Sequence, residues 1–146
     1  MNQKISKVMQ ETKPKKPILK NALRAFLVGG LICLFGQVLI FLFQKGFNFS
    51  KEEASNITVG LLVLIACLLT GFGVYDRIGQ FAGAGTIVPI TGFANSMASS
   101  ALESKSEGII VGIIMNMFKL AGSVIVVGVL SAYILGLIRY LWGLIV

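Results

Sequence analysis

A chain of 146 residues that is 55% hydrophobic and only 13% charged, with a mean hydropathy of +0.86, lies outside the range of soluble domains of this size and reads as an integral membrane protein. Its formal charge of +7 gathers in residues 1–24, where Lys4, Lys7, Lys13, Lys15, Lys16, Lys20 and Arg24 stand against Glu11 alone, beside an apolar run; that placement favours a cytoplasmic arm on anionic lipid over a nucleic-acid partner. There is no histidine, and Cys33 and Cys67 both fall in apolar runs, which excludes a Cys/His metal site within one subunit and favours two lone buried thiols.

Residues 1–20, with Pro14 and Pro17, form the basic arm, and residues 21–146 a single helical membrane domain. Asn21 is placed to cap a first span over residues 22–43, too long for a signal peptide and without a small-residue cleavage site. Within it Gln37 is the one strongly polar side chain, which suits a hydrogen bond to a neighbouring helix. Residues 44–57 balance Lys45 and Lys51 against Glu52 and Glu53 and read as an outside loop, followed by a second span over 58–74.

The next stretch, GFGVYDRIGQFAGAGTIVPITGFANSMASSALESKSEG from Gly71 to Gly108, lies among apolar runs yet is rich in glycine, hydroxyl and amide side chains. Gly79, Gly83, Gly85, Gly92 and Pro89 argue against a regular helix over residues 78–102. Its apolar residues argue equally against a surface loop, which leaves backbone broken inside the membrane, tolerated only where protein or water surrounds it. After a polar hinge at 103–107 the run 108–138 would reach on the order of 45 Å as one helix, against a core of roughly 30 Å. Either that helix is strongly tilted or, as we favour, it breaks at Lys119–Gly122 into a half-helix (108–118) and a span (120–138) closed by Arg139, Tyr140 and Trp142. Gly128, Ala132 and Gly136 recur every four residues as a helix-packing face, while Gly108, Gly112, Asn116, Lys119 and Ser123 share another.

The fold class expected is therefore all-α and polytopic, with about four membrane-crossing segments, at least one glycine/proline-broken or re-entrant. Four crossings put both termini in the cytoplasm; a re-entrant centre gives three and puts the carboxyl end outside. No catalytic signature accompanies the serines and lysines, so an enzyme is disfavoured. A permeation path uses the same residues directly, because interrupted helices present dipoles and glycines let a solute approach backbone. Its candidates are Arg77, Gln80, Gly83, Gly85, Pro89, Thr91, Asn95, Ser96, Ser99, Asn116, Lys119 and Ser123. Each cation has a structural alternative: Arg77 pairs with Asp76 at the interface, and Lys119 snorkels from a helix end.

The central stretch, followed by NMFKLAGSVIVVGV, resembles the SpoVA family of spore-forming bacteria over about residues 15–140, and Val88–Phe93 matches a V-P-[IL]-T-G-F segment of a smaller family member. The resemblance implies a multi-pass protein of the spore inner membrane that acts with other SpoVA-family subunits in a homo- or hetero-oligomer. It implies a channel, with membrane tension as a candidate stimulus, that moves dipicolinic acid with calcium into the forming spore and out at germination. It transfers no residue-level site, and no cofactor is expected. A membrane scaffold and half of a secondary transporter stay open as alternatives.

Overall fold

The computed structural model describes residues 17–145, which are all-α and form six helices. Of the arm at 1–20, expected to be cytoplasmic, residues 1–16 lie outside them and residues 18–20 belong to the first helix. Helix α1 (Ile18–Phe47) follows Pro17, whose missing N–H is no loss at a helix start. It begins earlier than expected: Asn21 is inside α1, its N–H bonded to the Pro17 carbonyl at 3.0 Å, and is not the cap. The helix stops where Asn48 turns left-handed at φ 54°.

Ser50 then opens α2 (Lys51–Gly71) through a reciprocal cap. Its Oγ accepts from the Glu53 N–H at 3.3 Å, and Glu53 Oε2 accepts from the Ser50 N–H at 2.9 Å. The outside loop expected at 44–57 thus shrinks to residues 48–50. The charges that suggested a loop include Glu52 and Glu53, which the helix dipole favours in a first turn.

Helices α1 and α2 form an antiparallel pair with Gly36 buried against Leu62. The buried residues of α2 are Ala54, Thr58, Ala66 and Thr70, a small-residue face whose spacing lets backbones approach. The two threonine hydroxyls donate back to the Ala54 and Ala66 carbonyls at 2.8 and 2.7 Å, so neither is left unpaired in an apolar setting.

The central stretch folds as three short helices, α3 (Val74–Ala82), α4 (Ala84–Ile87) and α5 (Ile90–Glu103). Gly83, at φ 55° and ψ −122°, makes the first break, in a conformation that side-chain-bearing residues rarely adopt. Pro89 makes the second, but as the residue that starts α5, where no helical N–H is required. This corrects the expectation of irregular backbone across 78–102: from Ile90 onward the helix is regular. Thr91 lies by Tyr75 and Asn95 by Thr70, so α5 turns back along α2.

Two glycines fix α4 in place. A Cβ on Gly85 would strike the Ala25 backbone of α1, and a Cβ on Gly92 would strike the Thr86 and Ile87 carbonyl oxygens. Ala66, Tyr75 and Ala94 form the small core, with Val63, Cys67 and Leu69 packed around it. Cys67 Sγ sits 3.9 Å from the Ala94 carbonyl, whereas Cys33 is exposed on α1 rather than buried as the apolar run suggested.

A 3-10 turn (Ser104–Glu107) and a π-helical turn (Ile109–Ile114) lead into α6 (Met115–Ile145). The expected break at Lys119–Gly122 is absent. The interruption comes earlier, at Gly108 (φ 98°) and the π turn, where Gly112 passes under the Ser104 carbonyl. Beyond it no proline occurs, and an isolated Gly122 costs only about 1 kcal/mol in a helix, too little to end one. Three helices are long and apolar enough to cross a membrane, Ile18–Phe47, Lys51–Gly71 and Ile109–Leu144. The glycine- and proline-broken segment α3–α5 lies between the second and third. From Ser123 onward the described side chains of α6 are exposed on all sides.

Candidate functional site

The polar residues of the broken segment converge on one face of α5. Gly92, Ser96, Ser99, Ser100 and Glu103 follow one another at helical spacing, and two clefts open along that face. The first, about 380 Å³, lies among α3, α4 and α5 and is lined by Tyr75, Asp76, Gly79, Gln80, Thr86, Ile87, Gly92, Asn95 and Ser96. The second, about 500 Å³, runs between α5 and α6 and is lined by Ser96, Ser99, Ser100, Glu103, Asn116, Lys119, Leu120 and Ser123. Ser96 belongs to both, so the two are consecutive stretches of one polar surface.

The wall of the first cleft is a hydrogen-bonded trio. Tyr75 is buried, and its Oη lies 3.1 Å from the Thr86 carbonyl and 2.9 Å from Thr91 Oγ1. A phenol has one proton, so one contact is a donation and the other an acceptance from the threonine hydroxyl. Behind the trio is an apolar pocket of about 310 Å³ between α1 and α2, lined by residues such as Val28, Leu31, Ile65 and Leu69 together with Tyr75, Thr86 and Thr91. One tyrosine and two threonines thus separate a polar surface from an apolar one. Asn95 is positioned the same way: Thr70 Oγ1 is 2.7 Å from the Ala66 carbonyl and 2.7 Å from the Asn95 amide. The Asn95 atom in that contact is its carbonyl oxygen, so the single Thr70 proton is shared between two acceptors, and the contact holds Asn95 on the lining of the cleft.

Three polar side chains of the second cleft are anchored on their own helices. Ser96 Oγ donates to the Gly92 carbonyl (3.1 Å), Asn116 Nδ2 to the Gly112 carbonyl (2.9 Å) and Ser123 Oγ to the Leu120 carbonyl (2.8 Å). Each of the three keeps an oxygen able to accept a further hydrogen bond. Among the described residues no buried side-chain polar atom lacks a partner, and no three His, Cys, Asp or Glu side chains gather as a metal site.

The sequence-selected residues separate into groups. Gln80, Asn95 and Ser96 line the first cleft, and Ser96, Ser99, Asn116, Lys119 and Ser123 line the second. Thr91 is in the partition, Gly83 and Pro89 make the helix breaks, and Gly85 is buried on α1. Arg77 is exposed on α3 outside both clefts. Gly128, Ala132 and Gly136 lie far along α6, and a Cβ added at either glycine would meet nothing within 4 Å. Tyr75, Asp76, Thr86 and Glu103 were not selected as path residues. The signal for them in the sequence is an ionisable or hydroxyl group within four positions of one of the path candidates.

A model of the SpoVAC/SpoVAEB sporulation membrane protein family matches residues 21–138. Stage V sporulation protein AC of Bacillus subtilis (strain 168) is 61% identical over 127 residues, which covers 87% of this chain and 85% of that protein. No solved structure matches the chain.

Proposed function

The chain belongs to the SpoVAC/SpoVAEB family of sporulation membrane proteins, and on that premise we propose that it is a subunit of a channel for dipicolinic acid, with calcium, in the spore inner membrane. The observation that carries this reading is the continuous polar face of α5, joined through Ser96 to a cleft at the broken segment and flanked by Asn116, Lys119 and Ser123 of α6. A membrane helix that only anchors partners has no use for such a face, since hydroxyls, an amide, a carboxylate and an ammonium at membrane depth are unfavourable unless they meet water, solute or each other.

In this reading the solute passes along α5. The hydroxyls and the Asn95 side chain replace part of its hydration, and Lys119 supplies a positive field for carboxylate groups. Asp76 and Glu103 offer oxygen to a hard cation, so the surface suits a metal–carboxylate pair better than a bare dianion. The amino terminus lies in the cytoplasm, as its basic arm favours, the other subunits of the complex belong to the SpoVA family, and no enzymatic step is involved.

The test is flux through vesicles that contain the purified chain, measured for the free dianion and for its calcium chelate. Lys119→Met slows the dianion several-fold and the chelate less, while Lys119→Arg stays near wild type, at matched protein levels. Equal dianion flux for wild type and Lys119→Met would remove Lys119 from the path, and no flux above protein-free vesicles would remove the channel reading for the chain alone.

A further inference from the structure

We propose that the groove between α5 and α6 is closed by the same groove of a second copy of this chain, related by a two-fold axis, with Lys119 of one copy facing Glu103 of the other. The groove holds Ser99, Ser100, Glu103, Asn116, Lys119 and Ser123 in about 500 Å³ and opens outward; Glu103, Lys119 and Ser123 are exposed. It belongs to α5, which runs along the apolar helix α2, and to α6, which lies in a stretch long and apolar enough to cross a membrane. Hydrocarbon offers these groups no hydrogen bond, and an ammonium on a lipid-facing side is disfavoured. A protein cover over the mouth satisfies these groups where lipid does not.

The charge pattern selects the cover. A groove of one sign would repel its own copy and call for a different partner, whereas this one carries one carboxylate and one ammonium among side chains that both donate and accept. Such a surface is complementary to itself under a two-fold operation, in which each contact occurs twice. Among the described residues none covers the exposed Glu103, Lys119 and Ser123 side chains. The inference rests on the proposed function only for the groove's role, since it gives the path its missing wall. The pairing geometry stands apart from what is conducted.

The test uses charge exchange between copies of the full chain carrying two different affinity tags, co-expressed in one membrane. Glu103→Lys alone or Lys119→Glu alone places like charges opposite one another at both contacts, and recovery of the second tag falls at least about tenfold. Co-expression of the two variants puts opposite charges at both contacts and restores recovery to the wild-type level. Pairing of Glu103 with Lys119 inside one chain predicts the reverse, because each variant chain then carries its own clash whatever its partner. Co-recovery that stays low in the mixed expression, or singles that pair as wild type, would overturn the proposal. If a single variant does not accumulate, Ser100→Cys with Cys33→Ala and Cys67→Ala, all charges native, decides: oxidation gives a covalent dimer, and none forms if the groove is covered by another protein. Loss of flux with pairing intact counts against this interface alone, and loss of pairing with flux intact counts against the solute reading alone.

Discussion

The glycines around α4 and those along α6 have opposite surroundings in this molecule. In the body built from α1–α5, Gly85 and Gly92 leave no room for even a methyl group, because the Ala25 backbone and the Thr86 and Ile87 carbonyls occupy that space. Along α6, Gly122, Gly128 and Gly136 meet nothing within 4 Å. The body is a closed piece of packing, held by backbone-to-backbone contact and a few buried hydroxyls. By contrast α6 beyond Gly122 is a bare apolar helix whose small-residue face has no partner among the described residues. Small residues at helical spacing therefore mark close packing without telling where the other surface comes from.

The largest expected effect breaks the body. Gly92→Ala forces a Cβ onto two carbonyl oxygens and destabilises the fold by about 3 kcal/mol, at the upper end for overpacking, read as earlier unfolding in mixed detergent micelles. Tyr75→Phe comes next, at about 2 kcal/mol, because it leaves the Thr91 hydroxyl or the Thr86 carbonyl short of a partner between the polar cleft and the apolar pocket. The same unfolding curve reads Ser50→Ala at about 1 kcal/mol, through loss of the cap that begins α2. The smallest effect has the opposite sign: Gly128→Ala stabilises by about 0.5–1 kcal/mol, since α6 gains helix propensity and meets no obstacle. A destabilising Gly128→Ala in the isolated chain would erase the contrast between the two groups of glycines.

A bulkier probe sharpens it. If the Gly128–Ala132–Gly136 face packs on another subunit, Gly128→Leu and Gly136→Leu both reduce the oligomer and leave membrane insertion intact. Unchanged oligomer size for both would mean that face meets only lipid.

The spans were legible in the sequence because length and hydropathy nearly decide them: the two apolar runs became α1 and α2, and a break was due wherever Gly83 and Pro89 fell. Boundaries were less legible, since they depend on caps. Ser50 with Glu53 at the third helical position is a capping box that the surrounding charges disguised as loop. The placement of the second break followed from treating Lys119 as a weak point, although a lysine continues a helix readily, whereas Gly108 and the π turn needed knowledge of the Ser104 carbonyl above Gly112. Of the candidate path, Asn116, Lys119 and Ser123 share a face by spacing alone. That Ser96 and Ser99 lie across from them depends on a hairpin between α5 and α6 that spacing does not encode. Arg77 drew notice as a charge near glycines, yet one helical position decides that Asp76 lines the cleft and Arg77 does not.

The central claim is that the α5 face from Ser96 to Glu103 lies along a wet solute path. Its most direct measurement is thiol accessibility in vesicles, with Cys33→Ala and Cys67→Ala as background and a charged, water-soluble reagent. The account predicts that Ser99→Cys reacts readily and is protected by dipicolinate, while Val127→Cys on the bare part of α6 stays inert. A Ser99→Cys as unreactive as Val127→Cys would contradict it.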